Sequence, residues 1–136
     1  GVLLDRAPVI ENAKAAWAPD GPYHSAASRI EMVTGSFFDA SSIPKARDGD
    51  AYVMRYILHD WQEADVLRIL QNVRSAAGDA RATLIIGESA VPDHDTVAVP
   101  PVVYNIDMQM MGFFNGRERT KSEWRKTLAE AGFELV

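Results

Sequence analysis

Apolar residues along the chain recur with two spacings, one typical of strands and one typical of helices. Four runs have the length and apolar content of strands: VLL near the start, RIEMVTG, AYVMRYIL and ATLIIGE. Between these runs, the pattern predicts helices over about Pro8–Trp17 and over Glu63–Ala77, the second with Val66, Leu70 and Val73 on one face. Strand and helix therefore alternate from the beginning of the chain.

The last third of the chain continues this alternation. The segment VVYNIDMQMMGFF predicts a helix rich in methionine and aromatic residues, and NGRE predicts the turn that leaves it. Thr120 and Glu123 have capping-box spacing at the start of another helix, which Gly132 ends before a predicted strand, FELV. This order is typical of βαβ crossovers, so we expect one α/β domain with a mainly parallel sheet and helices on both faces. Ligands of such sheets bind outside the carboxyl ends of the strands.

Composition and charge exclude several classes of protein. The chain has 136 residues, 47% of them apolar and 24% charged, which is enough for the core of one domain. Its formal net charge is -5 and its basic residues are scattered, so nucleic acid is not an expected partner. The absence of cysteine excludes disulfides, cysteine-based zinc sites and thiol nucleophiles.

The ends of the chain and its hydropathy bear on location. No apolar run reaches the length of about 18 residues that a membrane-spanning helix needs, and the start has no signal-peptide pattern. We therefore expect a soluble, cytoplasmic protein with no membrane partner. Both ends, GVLLD and AGFELV, lie inside apolar runs that resemble strands. We therefore expect the chain to be part of a larger fold.

Three polar residues follow predicted strands and are candidates for chemistry. His59, after AYVMRYIL, is the best candidate for a general base because imidazole titrates near neutral pH; the alternative is a histidine satisfied by a backbone carbonyl. Glu88 closes TLIIGE, where a carboxylate is costly unless it is paired, so a functional role and a structural ion pair both stay open. Asp5, after the first run, could accept hydrogen bonds from a ribose or be an ordinary loop carboxylate.

Other polar and apolar residues have strong structural alternatives. Asp60 could cap the helix that follows it, and Glu118 lies between two arginines in GRERT, where the plain interpretation is a surface ion pair. Met108, Met111 and Phe114 could line a pocket for a flat aromatic substrate, although core packing is the commoner role of such a stripe. The sequence predicts no metal site, serine hydrolase or phosphate cradle, because it lacks His-x-x-x-His, Gly-x-Ser-x-Gly and Gly-x-Gly-x-x-Gly.

Taken in order, several motifs resemble one known family. They are DRAPVIENAK, GSFFD, GDAYVMRYILHDW, RILQNVRSA, LIIGESAVPD, DMQMM and GRERTKSEWRKTLAEAGF. Their order is similar to that of the S-adenosylmethionine-dependent small-molecule O-methyltransferases, a group that includes plant caffeate-type, vertebrate acetylserotonin-type and bacterial antibiotic-pathway enzymes. The most specific part is LHDW followed by GRERT and AGF, and the resemblance covers nearly the whole chain.

The resemblance implies a Rossmann-like class I methyltransferase domain that uses S-adenosylmethionine to methylate a hydroxyl of a small, aromatic acceptor. His59 matches the catalytic base of the family, while Glu88 and Glu118 match the acidic residues that flank and orient that base. The implied cofactor-binding residues are Asp5, Ser36, Phe37, Arg55 and Trp61, and the implied acceptor-binding residues are Met108, Met111, Phe114 and Asp60.

Departures from the family pattern keep other hypotheses open. The Gly-rich loop of the family would lie before Gly1 and its last strand after Val136, and its N-terminal dimerisation domain is absent. We therefore expect a partial catalytic domain, inactive alone, from a parent that is a homodimer. Ser36 stands where the family usually has an aspartate, and DRAP replaces the usual Asp-Leu-Pro. The alternatives are a relative that no longer methylates, as a pseudoenzyme or with a diverted activity, and an inert truncated fragment.

Overall fold

The computed structural model describes residues 1–93 and 100–136, and its helices and first four strands follow the predicted order. Two short strands, Ala90–Val91 and Arg119–Thr120, were not predicted. Part of the predicted loop between Glu88 and Pro101 lies outside the described residues. The strands are β1 Val2–Asp5, β2 Glu31–Thr34, β3 Ala51–Arg55, β4 Thr83–Gly87, β5 Ala90–Val91 and β6 Arg119–Thr120. The helices are α1 Ala7–Trp17, α2 Glu63–Ala77, α3 Pro101–Phe114 and α4 Lys121–Glu130, with 3₁₀ helices at His24–Arg29 and Leu58–Asp60.

Residues Gly1–Lys45 form one compact unit, which is built on a parallel pair of strands. β1 and β2 pair over four residues, and α1 packs on both strands. A proline lies in the first turn of α1, where its missing N–H costs no hydrogen bond. Ile10 of the same helix is fully buried. Asp5 is the last residue of β1, so this unit places its carboxylate at the carboxyl end of the pair.

Residues Ala46–Val136 form the second unit. β3 and β4 pair in parallel over five residues, and β5 and β6 pair in parallel over two. α2 packs against α4, and the apolar faces of these two helices supply most of the core of the unit. Buried side chains on them include Val66, Ile69, Leu70, Val73, Trp124 and Leu128.

Several features of the predicted fold are confirmed. Every strand pair in the described residues is parallel, as the alternation of strands and helices predicted, and the strands form three two-stranded pairs. The helix over Glu63–Ala77 has the predicted bounds. The capping box is also present, because the Thr120 hydroxyl accepts a hydrogen bond from the Glu123 amide at 3.2 Å while the Glu123 carboxylate accepts from the Thr120 amide at 2.8 Å.

Two predicted strands differ from the structure. The run AYVMRYIL leaves the strand conformation after Arg55, because Tyr56 takes a left-handed φ of 52° that a strand does not accommodate. FELV was predicted as a strand, and this is wrong for the described residues. The amide of Phe133 donates to the carbonyl of Leu128 at 2.8 Å and so closes the end of α4, next to Gly132 with a φ of 84°.

The helices are also too short or too polar for a bilayer. In residues 1–93 and 100–136, no helix has both the length and the apolar character that crossing a membrane requires.

We expect Leu70→Ala to lower the free energy of unfolding by about 2–5 kcal/mol, because a fully buried leucine leaves a cavity when it is truncated. Thermal or denaturant unfolding of the two proteins measures this loss. Leu67→Ala is the matched control, since Leu67 lies on the same helix and is only half-buried. Equal losses in the two variants would contradict the assignment of the core to the α2–α4 face.

Candidate active site

The chain leaves β3 through a tight turn that is held by the end of β4. Tyr56, in its left-handed conformation, donates its amide to the carbonyl of Gly87 at 3.1 Å. The next two amides, of Ile57 and Leu58, donate to the same carboxylate oxygen of Glu88 at 2.9 and 2.8 Å. The 3₁₀ helix Leu58–Asp60 follows, and we call it the His59 turn. Glu88 therefore fixes the backbone that leads into His59.

The imidazole of His59 lies in a buried acidic environment. Only 8% of His59 is exposed, and its Nδ1 lies 2.8 Å from Oε1 of Glu118 and 3.6 Å from Oε2 of Glu88. On the other side of the ring, Nε2 lies 3.6 Å from the carboxylate of Asp60. A carboxylate at 2.8 Å favours the Nδ1–H tautomer, in which Nε2 is the nitrogen that can accept a proton. The ring of Tyr56 stacks on the imidazole at 5.7 Å between centroids.

Burial shifts the pKa of the Glu118 carboxyl upward. Glu118 is 3% exposed, and the pKa of its carboxyl lies above the ordinary value of 4.5. The hydrogen bond with His59 opposes that rise, while the charges of Glu88 and Asp107 add to it. Asp107 of α3 also accepts the amide of Glu118 at 2.8 Å, so the backbone of this residue is fixed from a second element.

The interpretation of Glu118 as a surface ion pair with its flanking arginines is wrong. Arg117 pairs with Glu123 at 2.7 Å, and Arg119 pairs with Glu63 at 2.9 Å. Successive side chains of an extended segment point in opposite directions, so Glu118 turns away from both of its neighbours and toward His59.

A close backbone contact holds the segment of Glu118 against the His59 turn. The amide of Arg117 donates to the carbonyl of His59 at 2.9 Å. A Cβ on Gly116 would lie 1.9 Å from that same carbonyl oxygen, so only glycine allows the approach. The segment Gly116–Arg119, which we call the clamp segment, therefore touches both the backbone and the side chain of His59.

Sequence reasoning missed several residues that shape the site. Arg119 is completely buried and bonds the backbone on both sides of His59, yet a charged side chain is usually exposed. The sequence pattern did not indicate Tyr56 or Asp107. The role of Tyr56 depends on its backbone φ angle, and that of Asp107 on a hydrogen bond to the distant Glu118. Gly116 had a partial signal in the turn sequence NGRE.

The three charged residues of the site also come close enough together for a metal-ion centre. One ligand atom from each of His59, Glu88 and Glu118 lies within 4.8 Å of the others, a geometry that could hold a metal ion. No metal site was predicted from the sequence, because it has no His-x-x-x-His, no cysteine and no carboxylate cluster at ligand spacing. Nδ1 of His59 and Oε1 of Glu88 already make hydrogen bonds, whereas Oε2 of Glu88 and Oε2 of Glu118 have no hydrogen-bond partner among the described residues.

Three further predicted residues lie in the same unit as His59. Asp60 was considered as a helix cap, and this is wrong: the N-cap position of α2 is Gln62, with no side-chain capping bond. The guanidinium of Arg55 lies 4.9 Å from the centre of the Tyr56 ring. Trp61 directly follows the His59 turn, is half-buried, and accepts a hydrogen bond at its carbonyl from Arg119.

The other predicted cofactor residues lie in the unit Gly1–Lys45. Asp5 is half-exposed, and its carboxylate accepts the amide of Arg6 at 2.7 Å. The Ser36 hydroxyl accepts the amide of Phe38 at 3.2 Å, so this side chain takes part in its own turn. Phe37 packs edge to face with Phe38 at 5.0 Å between ring centroids.

The predicted acceptor-binding residues of α3 are exposed. Met108 and Met111 are each 65% exposed, and Phe114 is 54% exposed. The core-packing alternative is therefore wrong for these side chains. The helix that bears them lies beside the His59 turn.

A family comparison decides what kind of domain this is. A model of the O-methyltransferase domain family matches residues 1–134, which is almost the entire chain. The chain belongs to the O-methyltransferase domain family. The resemblance stated from the motifs is thereby confirmed, together with the α/β methyltransferase fold.

Curated relatives of this O-methyltransferase domain include enzymes that methylate at oxygen and at nitrogen. The chain is 35% identical to chavicol O-methyltransferase of Ocimum basilicum over 77% of this chain and 28% of that protein. It is 34% identical to 8-amino-8-demethylriboflavin N,N-dimethyltransferase of Streptomyces davaonensis over 100% of this chain and 36% of that protein. The chain thus spans about a third of the length of these relatives.

Solved structures with the same fold include O-methyltransferases and an enzyme of another reaction type. Mitomycin 7-O-methyltransferase MmcR superposes with a TM-score of 0.80 at 28% identity, over 99% of this chain and 36% of that one. The O-methyltransferase NcsB1, solved with S-adenosyl-L-homocysteine and 1,4-dihydroxy-2-naphthoic acid, gives 0.74 at 26% identity, over 97% and 36%. A structure described as a pericyclic reaction enzyme gives 0.75 at 27% identity, over 99% and 31%.

We expect Gly116→Ala to displace the clamp segment from the His59 turn, because its new methyl would collide with the carbonyl of His59. A drop in Tm and loss of protection of the Arg117 amide in hydrogen exchange measure the displacement. Gly112→Ala is the control: a Cβ there meets nothing within 4 Å, and alanine raises helix propensity by about 0.5–1 kcal/mol. Equal Tm values for the two variants would contradict the close approach at Gly116.

We expect the difference in Tm between Glu118→Gln and the native chain to shift in favour of the variant as the pH rises from about 4.5 to 7. The pKa of Glu118 is raised in the folded state, so folding favours its protonated form, and this contribution is complete below pH 4.5 and lost as the pH rises. Glutamine has no charge to lose. The exposed Glu130 of the same unit is the control, because Glu130→Gln makes the same substitution away from the His59 site. A Glu118→Gln variant that loses Tm with rising pH would contradict the account.

Proposed function

We propose that this domain transfers a methyl group from S-adenosylmethionine to a hydroxyl of a small, aromatic acceptor, with His59 as the general base. The observation that supports this most is the 2.8 Å contact between Nδ1 of His59 and the buried carboxylate of Glu118. It orients the ring and leaves Nε2 to take a proton. Membership of the O-methyltransferase domain family supports the reaction type.

The work left to the protein follows from the chemistry of the methyl donor. S-Adenosylmethionine, when bound, supplies a methyl group on a sulfonium, which is already an excellent leaving group. Nε2 of His59 would accept the proton of the acceptor hydroxyl as that oxygen bonds to the methyl carbon and the carbon–sulfur bond breaks, with S-adenosylhomocysteine leaving as a neutral thioether. The imidazolium that results lies between Glu118 and Glu88, whose carboxylates stabilise its charge at 2.8 and 3.6 Å from Nδ1. A base positioned in this way contributes roughly 10²–10⁴-fold to the rate.

We assign cofactor binding to five residues, and their local structure suits that role to different degrees. Asp5 is half-exposed at the carboxyl end of β1, where a carboxylate can accept hydrogen bonds from ribose hydroxyls. Phe37 and Trp61 offer aromatic faces, and Arg55 is an exposed cation directly before the turn that leads to His59. Ser36 suits the role least, because its hydroxyl oxygen is engaged by the amide of Phe38.

We assign acceptor binding to the exposed face of α3 together with Asp60. Methionine and phenylalanine side chains adapt to flat aromatic rings, and Met108, Met111 and Phe114 expose more than half of their surface. Asp60 lies 3.6 Å from Nε2 of His59, so a hydroxyl that hydrogen-bonds to Asp60 would stay near the base. The expected homodimer of the parent protein and its cytoplasmic location belong to this same proposal.

A second candidate function is a reaction other than methylation on the same scaffold. The structural similarity to a pericyclic reaction enzyme favours it, as does Ser36 at a position where the family usually has an aspartate. Cofactor binding without any methylated product over a broad panel of hydroxylated aromatics would support this alternative.

We expect His59→Gln to lower kcat for methyl transfer by about 10²–10⁴-fold in the enzyme containing this chain, since glutamine cannot accept the proton. Product formation from labelled S-adenosylmethionine and a phenolic acceptor measures this. Calorimetry with S-adenosyl-L-homocysteine should give a similar affinity for the native and variant proteins, which separates loss of the base from loss of the fold.

The matched control is His24→Gln, because His24 is an exposed histidine in the other unit of the chain. This variant should keep the native rate. If His59→Gln also kept the native rate, His59 would not be the base.

A further inference from the structure

Arg119 is a charged residue with no exposed surface, and nothing in the proposed proton transfer uses it. We propose that Arg119 is a positioning residue that holds the His59 turn in the place from which His59 acts as the base. The inference rests on the proposed function for its effect on the rate, although the contacts themselves do not.

The guanidinium of Arg119 bonds the backbone on both sides of His59. Nη1 donates to the carbonyl of Leu58 at 3.1 Å, and Nη2 donates to the carbonyl of Trp61 at 2.9 Å. Leu58 begins the His59 turn, and Trp61 directly follows it. One planar group therefore spans the whole His59 turn.

The same guanidinium is anchored to the helices of the core. Its Nε donates to the carboxylate of Glu63 at 2.9 Å, and it lies 5.4 Å from the centre of the Trp124 ring. Glu63, in the first turn of α2, also accepts the hydroxyl of Thr127 of α4. Arg119 thus connects the His59 turn to the packed pair of helices that supplies most of the core of this unit.

Such an external support is needed because the His59 turn is weak by itself. It is a 3₁₀ helix of three residues whose N-cap residue, Ile57, makes no side-chain capping bond, so its first amides depend on Glu88 from another part of the chain. Hydrogen bonds of 3₁₀ helices have poor geometry, and short ones depend on their surroundings. Among basic side chains, only arginine presents several donors in a fixed plane, so lysine cannot reach Leu58, Trp61 and Glu63 together.

The position of Arg119 beside Glu118 links this support to catalysis. Glu118 holds the imidazole of His59 through Nδ1, while Arg119 holds the backbone of the same turn. Moving the turn would separate Nδ1 from Glu118 and shift Nε2 from the acceptor. A displacement of about 1 Å in an active site can cost up to about 10²-fold in rate.

The test is Arg119→Lys in the enzyme containing this chain, with Arg74→Lys as the matched control. Arg74 is an exposed arginine of α2 that also donates to a backbone carbonyl, that of Gly78. We expect Arg119→Lys to lower kcat by at least about tenfold and to change the KM of the acceptor by less than about twofold. Exchange of the amides in residues 57–62 should rise at least about tenfold, while exchange in the middle of α2 stays native. Arg74→Lys should leave kcat and the exchange of residues 57–62 unchanged.

Arg119→Lys with native kcat and native exchange in residues 57–62 would overturn the inference. If Arg119→Lys does not fold, Glu63→Gln is the alternative test. It weakens the hydrogen bond between Glu63 and Nε of Arg119 while leaving the guanidinium in place. We expect Glu63→Gln to change kcat and the exchange of residues 57–62 in the same direction by a smaller factor, and no change in either would also overturn the inference.

The two proposals fail separately. Suppose that amide exchange in residues 57–62 is faster in Arg119→Lys while His59→Gln keeps the native rate of methyl transfer. The role of Arg119 in holding the turn would then be supported, and His59 would not be the base. A slow His59→Gln variant with unchanged exchange and kcat in Arg119→Lys would refute the role of Arg119 alone.

Discussion

The structure of the site depends on one buried hydrogen bond, between Nδ1 of His59 and the carboxylate of Glu118 at 2.8 Å. A carboxylate that is 3% exposed is costly to keep ionised, and its raised pKa reports that cost. The imidazole offsets part of the cost by donating a hydrogen bond to the carboxylate. This pairing decides which nitrogen of the ring carries the proton, and it requires two distant segments of the chain to stay in contact.

The surrounding contacts keep those two segments together. Glu88 uses one oxygen to receive the amides of Ile57 and Leu58 and turns the other toward His59, so it shapes the backbone and the electrostatics of the same turn. Gly116 allows the clamp segment to approach the carbonyl of His59, and Asp107 fixes the amide of Glu118. Each contact involves a residue whose partner lies in another element, so the site forms only when the unit has folded.

The sequence predicted the features that depend on local spacing. Helix α2 has its predicted bounds because its apolar residues recur with helical period, and the capping box at Thr120 is a local motif. Glu88 was placed correctly, directly after β4. His59 was expected at the end of a strand, but β3 ends at Arg55 and Tyr56 then turns the chain, so His59 lies beyond the strand. No periodicity shows such a turn, because it depends on a single backbone angle.

Contacts between distant elements could not be predicted in this way. Alternation along GRERT places Arg117 and Arg119 on one side and Glu118 on the other, but it does not say which side is buried. The structure buries residues on both sides: Glu118 lies against His59, and Arg119 bonds two backbone carbonyls and the carboxylate of Glu63. A fully buried arginine runs against the usual exposure of that residue type, and these three hydrogen-bond partners offset the cost of removing its charge from water.

The most direct test of the central claim is the tautomer of His59, measured by long-range ¹H–¹⁵N NMR on a sample labelled at histidine nitrogen. At a pH where the imidazole is neutral, the account predicts a proton on Nδ1, bonded to Glu118, and a proton-free Nε2. The same spectrum of Glu118→Ala should lose that preference. A native His59 that has its proton on Nε2 would contradict the account, because Nε2 could then accept no further proton.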